Sequence, residues 1–209
     1  MDGAFWQARW QERRIAFHEG RPNTYLERHV GQLAGARRVL VPLCGKADDL
    51  AFLAGRGHEV VGVELVETAV QEFFADHGLT PTRTEHAGFV EYAAGPIQLY
   101  AGDLFATTRE LLGPVDAIYD RAAIVALPPE LRVRYAAHLR AVAPPGTRVL
   151  AITFEYPQEL AAGPPFSVDE AELRTLYAGA TIELLDEGPD PRVREGMPPA
   201  LERCFLIRL

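Results

Sequence analysis

Cysteine is scarce in this 209-residue chain, with Cys44 and Cys204 its only two. Two thiols so far apart make no disulfide framework, and neither stands at metal-ligand spacing from a partner. The six histidines show no such spacing either, so no metal is expected. A basic excess is also missing. The net charge is −8, which leaves no broad cationic face for a phosphate backbone and excludes nucleic acid as a partner. Arg9, Arg13, Arg14, Arg21 and Arg28 are interleaved with Glu12, Glu19 and Glu27, and read as a solvated helix face. No apolar run approaches the ~20 residues of a membrane span. The opening Met1 to Trp6 lacks the basic-then-apolar order of a secretory leader. With 48% hydrophobic and 24% charged residues, disorder is excluded as well. What remains is a folded cytoplasmic domain over residues 1–209, expected to act as a monomer on a small molecule.

Two amphipathic stretches open the chain. Phe5, Trp6 and Trp10 share a face of the first. The second runs from about Pro22 to Leu33, with Pro22 at its first helical position. The period then changes. Arg38 to Leu43 is a nearly uninterrupted apolar run, as in a buried parallel strand. A turn at Gly45, a helix from Lys46 to Ala54, a strand from Val60 ending in Glu64, and a helix from Glu67 to His77 closed by Gly78 complete a βαβ unit. Further strands are expected at 97–100, 115–119, 148–154, 181–185 and 203–209. Helices are expected at 129–142 and 168–177, the latter capped by Ser167 with Glu170 completing a capping box. The sum is a doubly wound α/β sheet of about seven strands, residues 37–209, preceded by a helical cap over 1–36. Its last two strands are joined by a Gly/Pro-rich loop (188–199) without a helix, so they can pair antiparallel. Dinucleotide-binding sheets continue in parallel; an antiparallel last strand marks the class I methyltransferase version of this Rossmann-like fold.

Open α/β sheets bind ligands beyond the carboxyl ends of their strands, where strand order reverses. At those ends stand Gly45, Glu64, Asp103 with Leu104, and Asp120 with Arg121. Three carboxylates and one arginine are thereby expected on one edge. Glu64 lies 19 residues after Gly45, near the ~20 expected of an acid that grips ribose hydroxyls. A carboxylate accepts two hydroxyl protons at once, whereas a plain solvent-exposed strand end would need no such spacing. No G-x-G-x-x-G is present. Without those glycines a pyrophosphate cannot approach the backbone closely, which counts against a NAD-dependent oxidoreductase and favours a nucleoside without phosphates. Lys46 after Gly45 hints at a phosphate loop, but Leu40 and Ala47 break that motif. Asp103 and Leu104 are candidates to bind and pack an adenine, or else are strand-end residues. Arg121 can reach over the pocket or pair with Asp120 or another neighbour. Trp6, Trp10 and Phe17 read on spacing alone as core.

Several of these segments resemble the thiopurine S-methyltransferase family, bacterial members above all. They are Phe5-Trp6-Gln7-Ala8-Arg9-Trp10 with Phe17-His18, and Val41-Pro42-Leu43-Cys44-Gly45-Lys46. They continue with Gly62-Val63-Glu64-Leu65, Gly102-Asp103-Leu104-Phe105, and Asp120-Arg121-Ala122-Ala123-Ile124-Val125-Ala126-Leu127. The resemblance covers residues 5 to 127 in order. It implies a seven-stranded S-adenosylmethionine-dependent methyltransferase, yielding S-adenosylhomocysteine. It also implies that Trp10, Leu43, Glu64, Asp103, Leu104 and Arg121 contact the cofactor or lie beside it. Phe17 and Arg121 would face the acceptor, with Arg121 in a catalytic role. Family members accept aromatic and heterocyclic thiols such as 6-mercaptopurine, and some methylate selenium or tellurium oxyanions. A methyltransferase fold acting on another small nucleophile, a NAD-dependent oxidoreductase, and a non-catalytic cofactor-binding module are the competing readings.

Overall fold

The computed structural model describes residues 3–15, 18–190 and 200–209. Nine strands form one sheet: β1 (Arg38–Pro42), β2 (Glu59–Glu64), β3 (Thr82–His86), β4 (Phe89–Ala94), β5 (Ile97–Ala101), β6 (Ala117–Arg121), β7 (Arg148–Glu155), β8 (Thr181–Pro189) and β9 (Leu201–Arg208). Their order is β3-β4-β5-β2-β1-β6-β7-β9-β8. The five central strands run parallel. β9 lies antiparallel between β7 and β8, as the helix-free connection predicts. Beyond Asp190 the expected 188–199 loop lies outside the described residues.

The expected seven strands are present, and the count is corrected to nine by a hairpin, β3 and β4, at the edge beside β5. Its outer strand, Thr-Arg-Thr-Glu-His, is exposed throughout. With no apolar alternation it carries no period-2 signal, and its charges suit an edge strand that must not recruit another chain.

Seven α-helices accompany the sheet: α1 (Gly3–Gln11), α2 (Thr24–His29), α3 (Asp49–Gly55), α4 (Glu67–Asp76), α5 (Arg109–Leu112), α6 (Pro129–Val142) and α7 (Glu170–Leu176). Three boundaries differ from expectation because a side chain caps the backbone elsewhere. Asn23, not Pro22, precedes the second helix, and its Oδ1 accepts from Tyr25 N–H at 2.9 Å. That helix ends at His29 and tightens into a 3₁₀ turn over Val30–Leu33. The third helix begins at Asp49 rather than Lys46. Asp169, not Ser167, caps α7 by accepting from Glu172 N–H at 2.7 Å; the Ser167 hydroxyl instead accepts from Tyr156 N–H.

Alternation along the strands builds a core on each face. In β1, Leu40 packs on one side while Val39 and Val41 pack on the other. A methyl group at Gly62 would come within 2.5 Å of Leu99 Cδ2 and 2.8 Å of Cys44 Sγ. This position in β2 therefore lets the turn after β1 settle against the sheet. Strand order reverses between β1 and β6, which places the crevice beyond Pro42 and Arg121. α1 lies at that crevice, with Trp10 buried against Val66 and Ala69.

Candidate active site

After β1 the backbone turns sharply. Leu43 takes φ 48° and Gly45 φ 53°, and Ala122, directly after β6, takes φ 58°. Positive φ at Leu and Ala stores strain of the kind found around ligand clamps. Both residues line a cavity of about 640 Å³, a size within the ~300–1,000 Å³ of small-molecule sites.

Glu64 is the organising group. It ends β2, is 7% exposed and lines the cavity. Its Oε2 accepts from Gly45 N–H at 2.8 Å and its Oε1 from Val66 N–H at 2.9 Å. One carboxylate thus ties the ends of the two neighbouring strands together and keeps a free lone pair on each oxygen for a ribose hydroxyl. Burial raises its pKa, while the Val66, Gly45 and Leu65 N–H groups pull it down. The same contacts bear on the ligand. The Gly45 N–H, which a pyrophosphate would need, is already given to Glu64.

The remaining predicted residues divide. Trp10, Leu43, Asp103, Leu104 and Arg121 all line the cavity with Glu64. Asp103 is exposed and its Oδ1 accepts from Phe105 N–H at 2.9 Å, which shapes the turn that buries Leu104. Trp6 forms part of the wall, so the spacing-based reading of Trp6 and Trp10 as core alone is too narrow. Phe17 lies outside the described residues.

Asp120 is the correction. It belongs to the strand-end cluster in sequence but is not part of the cavity wall. Its Oδ1 accepts from Ile124 N–H at 3.1 Å and its Oδ2 from the Tyr135 hydroxyl at 2.8 Å. Adjacent residues of a strand point to opposite faces, so Arg121 enters the crevice while Asp120 leaves it. Burial pushes the Asp120 carboxyl up to about 6, with the two donors pulling the other way. A folded-state pKa above the unfolded one means that stability is lost as pH rises toward 6. Urea unfolding of wild type and Asp120→Asn should therefore show the stability difference moving against wild type by about 2 kcal/mol between about pH 4.5 and pH 7.5. A difference independent of pH would reject this state for Asp120.

Arg121 is 8% exposed and pairs with neither Asp120 nor solvent. One Nη contacts Glu19, and the other lies 3.9 Å from Asp49 Oδ2. Burial alone would lower its pKa, but Asp49, Tyr119 and Glu19 outweigh it. Asp49, 1% exposed, also accepts from Asn23 N–H at 2.7 Å and the Tyr119 hydroxyl at 3.2 Å. Glu19 had been expected on a solvated face, and Asp49 reads in sequence as an ordinary helix-start acid. Neither has a local signal for this role. Burial drives the Cys44 thiol well above its ordinary range, with Glu64 adding to it, so Cys44 is no nucleophile at neutral pH.

Comparison with known proteins places these features. Residues 1–195 match the family model described as thiopurine S-methyltransferase. The chain is 45% identical over 211 residues to a thiopurine S-methyltransferase of Xanthobacter autotrophicus, covering 99% of both. It is 49% identical over 191 residues to one of Pseudomonas aeruginosa, covering 90% of this chain and 88% of the relative. Among solved structures, the 1,6-didemethyltoxoflavin-N1-methyltransferase of Burkholderia thailandensis with bound S-adenosylhomocysteine superposes with a TM-score of 0.64. It is 19% identical and covers 99% of this chain and 87% of that one, a likeness of fold.

Proposed function

Because the chain belongs to the thiopurine S-methyltransferase family and is an S-adenosylmethionine-dependent methyltransferase, we propose that its cavity brings that cofactor to the sulfur of an aromatic or heterocyclic thiol. The observation that carries this reading is the Glu64 junction, which offers lone pairs to a ribose while withholding the turn's Gly45 N–H from phosphate. The donor set suits a nucleoside without phosphates. Glu64 holds the ribose, Leu104 packs the adenine beside Asp103, and Leu43 and Trp10 enclose the rest.

When bound, the cofactor supplies an electrophilic methyl group whose transfer is an in-line displacement. The protein's contribution is therefore placement and exclusion of water. Trp6 and Trp10 of α1 roof the cavity, and Arg121 meets the acceptor's sulfur or a ring nitrogen. A soft sulfur nucleophile needs no strong general base. We assign Phe17 to the acceptor side as well. Selenium and tellurium oxyanions are the second acceptor class, with Arg121 as the group that would meet their charge. The enzyme is placed in the cytoplasm, as a monomer without nucleic-acid or membrane partners. Both cysteines are buried and free, and among the described residues no helix is long and apolar enough to cross a membrane.

Labelled S-adenosylmethionine with a panel of thiols, selenite and tellurite tests the reading. Transfer to 6-mercaptopurine or another aromatic thiol is expected, along with a thermal shift on adding S-adenosylhomocysteine but not NAD. A shift with NAD alone would overturn it. Binding of S-adenosylhomocysteine with no acceptor methylated would instead mark a non-catalytic module.

A further inference from the structure

Arg121 is not presented to the cavity as a lone cation. Glu19 contacts its Nη2 from 102 residues away in sequence, and the Glu19 side chain is only 18% exposed. Asp49 stands by its Nη1 at 3.9 Å. One guanidinium is thus shared by two carboxylates, whose formal charges outnumber it. Neighbouring cations do not restore the balance. His18, next to Glu19 in the chain, has its pKa lowered, chiefly by burial. Lys46 is bound to Glu72 at 3.0 Å and Asp76 at 2.9 Å. Arg9 and Arg134 lie over the rings of Phe5 and Phe105.

An isolated arginine in a low-dielectric pocket would favour acceptors that arrive as anions. Here an arriving anion meets a guanidinium already neutralised and a carboxylate, Glu19, that repels it. A neutral thiol, or the thione tautomer of a nitrogen heterocycle, brings a proton that Glu19 is placed to take. We propose that Glu19 selects the acceptor class. The site takes neutral, protonated thiols and receives their proton on Glu19, and it disfavours acceptors already anionic, selenite and tellurite among them. This rests on the methyltransferase reading above.

In the step proposed, the acceptor's S–H or ring N–H bond breaks and its electron pair stays on the acceptor. The proton forms an O–H bond on Glu19. The protonated Glu19 releases Arg121, which then faces the new thiolate. Methyl transfer consumes the thiolate's charge, and Glu19 returns the proton to water.

Two readouts test this on the full-length protein. First, ultraviolet difference spectra would follow 6-mercaptopurine bound beside S-adenosylhomocysteine, at a pH where the free thiol is neutral. The bound acceptor should be the thiolate in wild type and the neutral form in Glu19→Gln. Second, kcat/KM for 6-mercaptopurine relative to that for selenite or a nitro-substituted thiophenolate should fall by about tenfold or more in Glu19→Gln, since one repelling charge is removed. An unchanged ratio together with unchanged spectra overturns the proposal. Should Glu19→Gln fail to fold, the wild-type spectrum decides, and a bound acceptor that stays neutral overturns it. Wild type that binds no S-adenosylhomocysteine and methylates no thiol would instead refute the function on which the proposal rests.

Discussion

Glu64→Ala should weaken binding of S-adenosylhomocysteine by roughly ten- to a hundredfold, measured by calorimetry. Hydrogen bonds to a charged group contribute about 1.5–3 kcal/mol, and each 1.4 kcal/mol is a factor of ten. The variant loses more than ligand contacts. Gly45 N–H and Val66 N–H, at 2.8 and 2.9 Å from the carboxylate, are left without an acceptor. An orphaned buried donor costs about 1–3 kcal/mol, so the melting temperature should fall as well. Glu64→Gln separates the two effects. It keeps the side chain's length but turns an NH₂ toward one of the two backbone donors, so stability should suffer even though one acceptor oxygen remains. A folded Glu64→Ala protein with unchanged affinity would remove Glu64 from the cofactor site.

Arg121→Ala should act on a different quantity. Turnover with a thiol acceptor is expected to drop by about 10²–10³, the usual effect of removing one group that stabilises charge in a closed site. Affinity for S-adenosylhomocysteine should drop less than turnover. Equal losses would make Arg121 a cofactor residue only. The substitution also leaves Asp49 and Glu19 facing each other without their shared cation. Breaking a buried pair in this way costs about 3–5 kcal/mol. For a chain of this length that lowers the melting temperature by about 10 °C. Adding Glu19→Gln to Arg121→Ala should return part of that loss, because the residues are in contact and their effects do not add. If the double variant is no more stable than the single one, Glu19 does not bear on the charge balance around Arg121.

Glu64 was legible from spacing because a βαβ unit measures out the distance from one strand end to the next. Leu43 and Asp103 with Leu104 were legible as the residues following apolar runs. Arg121 was placed correctly at a strand end, but its partner was not. Asp120 is its neighbour in sequence, yet the pleat sends the two side chains to opposite faces, and Asp120 finishes against Tyr135. The hairpin at β3 and β4 escaped because its outer strand is exposed and charged, so no face of it reports a core. Helix starts were misplaced by one to three residues wherever Asn23, Asp49 or Asp169 took over the boundary.

The sequence by itself determined the order of strands and helices, the antiparallel ending, the missing phosphate loop and the acid that closes β2. Each is written in the period of apolar residues or in a short spacing, and both are local. Only the tertiary structure decided what surrounds Arg121. Glu19 reaches it across 102 positions, and Tyr119 reaches Asp49 across 70. Charges at such separations are brought together by the path of the chain over the sheet, and no local pattern encodes which of many acids will be buried beside which arginine.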